Sequence, residues 1–262
     1  MINRRQGTPI SFRIGSVPYL NAAPLTWGLE DEIRFLPPST LGQALRRGEL
    51  DVALLSITEA LFQEDYHLLD GIGVCSKGPV NSVFLAHQGP LADIQEVYCD
   101  TATLTSINLL RVLLANQGLT PALRKLESYD QAPEKDNVLL IGNPAIRFRQ
   151  LGTRHHIWDL GQAWHEMTGL PFVFAAWVLR RGRVDDLLCA KLRKAKRDGM
   201  AHLDDIIAAA GDFDEAFRRR YLTQHIHYDI GEAERQGIDR FKFELGQFSD
   251  VVVHDPQLVG LV

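Results

Sequence analysis

Short apolar runs alternate with amphipathic stretches over the first two-thirds of the chain, and amphipathic stretches alone fill the remainder. Residues 12–17, 33–36 and 51–56 have the length and apolar content of short strands. A helix pattern follows each. Pro18 cannot continue a central ladder, and Asn21 suits the N-cap of a helix running through Leu25 and Trp27. Pro37-Pro38-Ser39 leads into a helix over 40–47 stopped by Gly48, and residues 57–62 form a third. This β-α-β-α-β-α order predicts a largely parallel sheet with helical crossovers. Two further strands, 68–75 and 80–87, flank the turn signal Ser76-Lys77-Gly78-Pro79.

Beyond Gly89-Pro90 the pattern restarts. A strand over 96–99 is followed by Asp100-Thr101-Ala102-Thr103-Leu104-Thr105-Ser106 and an apolar helix to Gln117, with Thr105 or Thr103 as N-cap and Gly118 as stop. Strands over 123–126 and 138–141 come next, and Gly142-Asn143-Pro144 opens a helix over 145–149. Ile157-Trp158 precedes a capped helix beginning at Asp159, and residues 172–179 form the last strand. The apolar run 170–179 suits a strand buried on both faces and is too short to cross a bilayer. From Val184 onward the chain reads as helices, with Val184, Leu187, Leu188, Leu192 and Ala195 on one face of the first and Ile238, Phe241, Leu245 and Phe248 striping the last. Two α/β units and a helical tail can be separate domains or two lobes that exchange strands, and periodicity leaves both arrangements open.

Composition narrows the function classes. The 262 residues are 45% hydrophobic and 23% charged with a formal net charge of −5, an ordinary globular balance that attracts neither nucleic acid nor an anionic membrane surface. The basic cluster 191–197 sits in the last turns of a helix that starts with two aspartates, so it reads as a solvated face complementing the helix dipole. Cys75, Cys99 and Cys189 lie far apart without metal spacing and read as reduced, buried thiols. The N-terminal Met-Ile-Asn-Arg-Arg-Gln-Gly-Thr-Pro lacks the apolar core of a secretory signal, giving a cytoplasmic expectation. His155-His156 and His225-x-His227 have no third ligand at metal spacing and read as surface residues.

The candidate chemistry lies where strands end and helices begin. Four such junctions carry small hydroxyl or amide residues: Ser16 to Asn21, Ser56-Ile57-Thr58, Thr101 to Ser106, and Gly142-Asn143-Pro144. Hydroxyls and exposed N–H groups at helix starts donate to carboxylate or phosphate oxygens, although the same residues also serve as plain caps. Two junctions in each half predict a cleft that holds a small molecule with anionic groups at separate positions. Glu59 and Asp100 are the nearby candidates for acid–base work, against the commoner role of caps or surface groups. No GxSxG, P-loop or GxGxxG stands at a strand-turn-helix position, which argues against hydrolase, NTPase and dinucleotide readings.

Several of these stretches together resemble the chorismate dehydratases of the futalosine route to menaquinone. The matching segments are Gly15-Ser-Val-Pro-Tyr-Leu-Asn-Ala-Ala-Pro-Leu25, Gly48-Glu-Leu-Asp-Val-Ala-Leu-Leu-Ser56, Ser76-Lys-Gly-Pro-Val-Asn-Ser-Val-Phe-Leu85, Leu139-Leu-Ile-Gly-Asn-Pro-Ala145, and Thr168-Gly-Leu-Pro-Phe-Val-Phe174 with Asp159-Leu-Gly-x-x-Trp164 before it. The resemblance implies an α/β, two-lobed fold of the type II periplasmic-binding-protein kind with a ligand cleft between lobes. It places lobe one at 1–86 plus 177–262 and lobe two at 87–176, joined by crossing hinge strands over 80–87 and 172–179. It also implies a carbon–oxygen lyase for a small dicarboxylate, without metal or organic cofactor. On that reading Asn21 and Ser82 orient the reacting ring. The substrate-binding set is then Ser16, Asn21, Ser56 and Ser82 from lobe one with Thr103, Thr105, Ser106 and Asn143 from lobe two. Asn143 departs from the family pattern, in which an acid follows the glycine. The rivals are the later pathway enzyme that makes 1,4-dihydroxy-6-naphthoate and a non-catalytic solute-binding protein for an anionic metabolite.

Overall fold

The computed structural model describes residues 12–100, 103–248, 250 and 252–260; the N-terminal segment 1–9 and residues Thr101 and Ala102 of the third junction lie outside them. In chain order the elements are β1 (Ile14–Ser16), α1 (Ala23–Thr26), β2 (Ile33–Phe35), α2 (Pro38–Arg46), β3 (Val52–Ser56), α3 (Ile57–Leu61), β4 (Tyr66–Ser76) and β5 (Val83–His87). Next come β6 (Glu96–Cys99), α4 (Leu104–Asn116), β7 (Ala122–Lys125), β8 (Asn137–Ile141), α5 (Gly142–Gln150), β9 (His156–Asp159), α6 (Leu160–Thr168) and β10 (Phe172–Arg180). The remainder is α7 (Asp186–Ala201), α8 (Leu203–Ala209), α9 (Glu215–Arg220), α10 (Glu232–Leu245) and β11 (Gln257–Val259).

The strands form two sheets, in the orders β11-β4-β10-β3-β1-β2 and β7-β6-β8-β5-β9. In the first, β1 pairs parallel with β2 and β3, as the βα alternation predicts, but β10 runs antiparallel to both of its neighbours. In the second, β6 pairs parallel with β7 and β8 while β5 is antiparallel to β8 and β9. Both sheets are therefore mixed, because each contains one strand that arrives from the other. Residues 83–87 pair only within the second sheet and β10 only within the first. The chain thus passes between sheets over residues 77–82 and again through α6 to Pro171.

A single carboxylate fastens the two passages together. Asp159 Oδ1 accepts from the backbone N–H of Val80 at 3.0 Å and, as N-cap of α6, from Gly161 at 3.0 Å and Gln162 at 3.1 Å; Oδ2 accepts from Asn81 N–H at 2.7 Å. Burial pushes its carboxyl upward and these four N–H donors oppose the shift. Gly161 lets the passages touch, since a Cβ there would sit 2.7 Å from the Gly78 carbonyl oxygen.

The core continues beneath the first sheet. Trp164, Phe172 and Phe241 are fully buried and meet edge to face at centroid distances of 5.3, 5.8 and 4.9 Å. Ile238, Phe241 and Leu245 are the buried face of α10, as their spacing predicts, while the more exposed Phe248 ring carries the Arg111 guanidinium 4.5 Å from its centroid. The three cysteines are free and buried. Lys191, Lys194 and Lys196 pair with Glu32, Asp198 and Asp229 on the surface. His155 is a correction to the surface reading: it is buried, its two ring nitrogens 2.7 Å from Thr153 Oγ1 and the Lys135 carbonyl oxygen and its ring edge-on to Phe148 at 5.4 Å. Among the described residues no helix is long and apolar enough to cross a membrane, and no group of three or more His, Cys, Asp or Glu is placed to hold a metal ion.

Candidate active site

Between the sheets lies a cavity of about 270 Å³ whose walls are mostly apolar, with Val17, Leu54, Leu55, Val74, Val80, Val83, Ile141, Phe174 and Ile226 among them. Apart from Gln43 and Arg46, farther along α2, most of the polar groups come from strand ends and helix starts, which is where the topology leaves backbone N–H groups without ladder or helix partners.

On the first-sheet side, Tyr19, Asn21 and Ala22 follow β1, Ser56 ends β3, and Ser39, Gln43 and Arg46 project from α2. Asn21 does not cap a helix. Residues Leu20–Ala22 form a 3-10 turn whose N-cap is Tyr19, and α1 begins only at Ala23 with Pro24 in its first turn. A residue inside so tight a turn has no free helix N–H to accept from, so its amide is available to the cavity and to the buried Tyr221 phenol, whose ionised form it favours. Among the described residues Arg46 and Glu59 are the only charged ones in the lining, and they form an ion pair with each other. Glu59 is held against Gly42, where a Cβ would lie 3.2 Å from the Glu59 carboxyl carbon, so a larger residue there would push the pair into the cavity. Its charge also helps burial push the Tyr66 phenol up to about 12.

On the second-sheet side the first turn of α4 supplies Thr103, Leu104, Thr105 and Ser106, and Ile141 and Gly142 mark the β8–α5 junction. Thr103 occupies the N-cap position, yet its hydroxyl donates backwards to the Asp100 carbonyl at 2.7 Å instead of capping. The first-turn N–H groups of α4 have no intrahelical partner and sit at the positive end of a 13-residue helix. Thr105 reaches across the cleft: its hydroxyl accepts from Thr58 N–H at 3.0 Å and donates to Thr58 Oγ1 at 2.9 Å, both side chains being buried. Its one proton is therefore spent on the first lobe. Burial and the charge of Asp100 push the Tyr19 phenol up, and Asp100 itself accepts from the Tyr129 hydroxyl at 2.9 Å.

Of the eight residues expected from sequence, Asn21, Ser56, Ser82, Thr103, Thr105 and Ser106 are brought together in this lining. Ser16 is fully buried within β1 and bonds its neighbour's carbonyl at 3.4 Å. Asn143 lies in the first turn of α5 and donates to Asp212 at 3.0 Å, beside Arg147, which bonds the same carboxylate at 2.9 Å. Both are outside the lining. Sequence reasoning missed Gln43, Arg46 and Tyr221. The first two sit one helical turn apart on a helix read only as a crossover, and Tyr221 belongs to the tail, outside every matching motif.

A sequence profile described as menaquinone biosynthesis matches residues 12–246. The chain belongs to the menaquinone-biosynthesis family. Within reach of that family, it is 32% identical to a chorismate dehydratase of Thermus thermophilus over 89% of this chain and 94% of that one. It is 26% identical to a chorismate dehydratase of Campylobacter jejuni, with 85% and 88% covered. Among solved structures it superposes on a protein from Archaeoglobus fulgidus with a TM-score of 0.72 at 16% identity, covering 90% of this chain and 97% of that one. The periplasmic aliphatic sulphonate binding protein SsuA of Escherichia coli gives 0.63 at 16% identity, covering 93% and 96%. This member of the menaquinone-biosynthesis family therefore has the two-lobed periplasmic-binding-protein fold, with the cavity between its lobes.

Proposed function

We propose that this protein is a chorismate dehydratase, a hydro-lyase that converts chorismate to 3-[(1-carboxyvinyl)oxy]benzoate and water. The observation that carries the reading is the 32% identity over nearly the whole chain to an enzyme of that name. The cavity agrees with it chemically. Chorismate bears two carboxylates, and the lining offers two separated attractions for anions, the Arg46 guanidinium on one wall and the first turn of α4 on the other. Asn21 and Ser82 orient the ring, Ser56, Thr103 and Ser106 complete the polar lining, and Thr105 joins the lobes around it. The apolar remainder excludes water and strengthens each polar contact. The location that goes with this reading is the cytoplasm, where a biosynthetic enzyme meets its metabolite.

Loss of water needs a ring proton and a hydroxide to depart, and the aromatic ring formed makes the reaction strongly downhill. A protein carboxylate acting as base would stand beside a dianion, which repels it. The substrate's own side-chain carboxylate, held over the ring proton by the cavity, is the better-placed base, and the proton it takes leaves with the hydroxide as water. The test is to incubate the purified protein with chorismate and follow substrate loss and the aromatic product by chromatography. Stoichiometric conversion supports the reading. Tight binding without conversion would make the protein a solute-binding relative of SsuA.

A further inference from the structure

Tyr221 is buried, 1% exposed, at the start of a π-helical turn, Tyr221–His225, that directly follows α9 and ends in extended chain at Ile226. A π-turn inserts a residue into the helix ladder at a cost, and such turns recur where a side chain must be aimed. The turn is held from several directions. The Tyr221 ring stacks on Phe217 with centroids 5.6 Å apart and planes at 13°, and just beyond the turn His227 and Cys75 exchange backbone hydrogen bonds at 2.9 Å. The Tyr221 hydroxyl reaches Ser82 Oγ at 2.8 Å.

A buried phenol must find an acceptor for its one proton. The bond from the Tyr221 hydroxyl to Ser82 Oγ, 2.8 Å long and buried, supplies that acceptor. Ser82 then receives the phenolic proton and keeps its own hydroxyl hydrogen for the cavity it lines. The Ser82 carbonyl is fixed as well, accepting from Gly142 N–H at 2.7 Å. From this arrangement we infer that Tyr221 is a positioning residue that sets the hydrogen-bond polarity of the site, turning Ser82 into a donor toward the substrate. The role in turnover rests on the chorismate dehydratase reading; the Tyr221–Ser82 bond does not. Because burial holds the phenol up at about 12, it stays a neutral donor throughout the ordinary assay range.

The experiment is a double-mutant cycle of Tyr221→Phe and Ser82→Ala on chorismate turnover, run beside ligand-free 19F spectra of protein carrying 3-fluorotyrosine at position 221. Tyr221→Phe alone is expected to lower kcat by about tenfold or more with KM changed less than about threefold, and to cost less than about twofold when Ser82 is already Ala, because residues acting through one another are not additive. Multiplicative losses, or an unchanged kcat in folded Tyr221→Phe, overturn the inference. In the spectra, Ser82→Ala is expected to shift the 221 resonance, since it removes the acceptor of the phenol's hydrogen bond. A resonance indifferent to Ser82→Ala overturns the inference even if Tyr221→Phe fails to fold. Should the wild type not consume chorismate, the functional reading falls alone and the spectra decide the arrangement.

Discussion

On the first-sheet side of the cleft the polar groups are side chains on separate elements: Asn21 on a 3-10 turn, Ser56 at the end of β3, and Arg46 on α2 paired with Glu59. On the second-sheet side they are gathered into the first turn of α4, where two of the three hydroxyls are already spent, Thr103 on the Asp100 carbonyl and Thr105 on Thr58. What the second wall has to offer a ligand is thus mainly backbone N–H and the helix dipole, with Ser106 as its remaining hydroxyl. The first wall chooses by side-chain chemistry, and the second attracts anions of almost any shape. Mutations should therefore divide by wall, with large effects on recognition and turnover from the first and effects on closure or stability from the second.

The largest effect is expected at Asn21. Asn21→Asp keeps the size but replaces a donor with a negative charge facing a dianion and the Tyr221 oxygen. Turnover should fall by about a hundredfold or more, since one preorganised donor contributes about 3 kcal/mol to a barrier, while the unfolding midpoint changes little. A variant as active as wild type would reduce Asn21 to part of a turn. Arg46→Gln should come next and act on KM: loss of a charge-assisted contact worth about 1.5–3 kcal/mol raises KM by about ten- to a hundredfold with kcat nearly kept. A matching loss in kcat would mean that Arg46 acts on the transition state instead. On the opposite wall, Thr105→Val conserves volume but leaves the buried Thr58 N–H and hydroxyl without their partner. A stability loss of about 1–3 kcal/mol by chemical denaturation is expected, with ligand affinity measured by calorimetry on the folded fraction changed far less. A variant of full stability and poor affinity would return Thr105 to the binding set.

The same division explains how much was legible in the sequence. Strand and helix order through β10 follows from apolar runs punctuated by Pro, Gly and caps, and such signals are local. The antiparallel insertion of β5 and β10 is not local, because a strand's direction depends on which sheet receives it. β11 escaped altogether: Gln257–Val259 is three residues long and owes its form to pairing with His67 to Leu69 of β4. At the site, the motif around Asn21 was readable as a junction, but its role as a cap was wrong, since nothing in the residue types distinguishes a 3-10 turn from the first turn of a helix. Thr105 and Ser106 are neighbours with the same chemistry on paper. Only the packing of α3 against α4 commits one hydroxyl and leaves the other. Arg46 was hidden by company, one of two adjacent arginines ending an amphipathic helix, where a solvated role is the ordinary reading.

The smallest effect is expected from removing the carboxylates themselves, and it bears most directly on mechanism. Glu59 and Asp100 are the acids nearest the cavity by sequence, and each has a structural occupation: Glu59 holds Arg46, and Asp100 accepts from Tyr129. Were either the base, its neutral amide would cost most of the rate. If the substrate carries its own base, Asp100→Asn keeps an acceptor for Tyr129 and turnover should stay within about tenfold, about 1.4 kcal/mol of barrier. Glu59→Gln should do the same to kcat and lower KM besides, because the Arg46 guanidinium, no longer shared with a protein carboxylate, is released to the substrate's. The pair therefore separates recognition from chemistry on a single wall of the cleft. A loss of about a thousandfold in either folded variant, about 4 kcal/mol, would make that residue the base and end the case for substrate assistance, whereas an unchanged KM in Glu59→Gln would leave the chemistry as argued and detach Arg46 from carboxylate recognition.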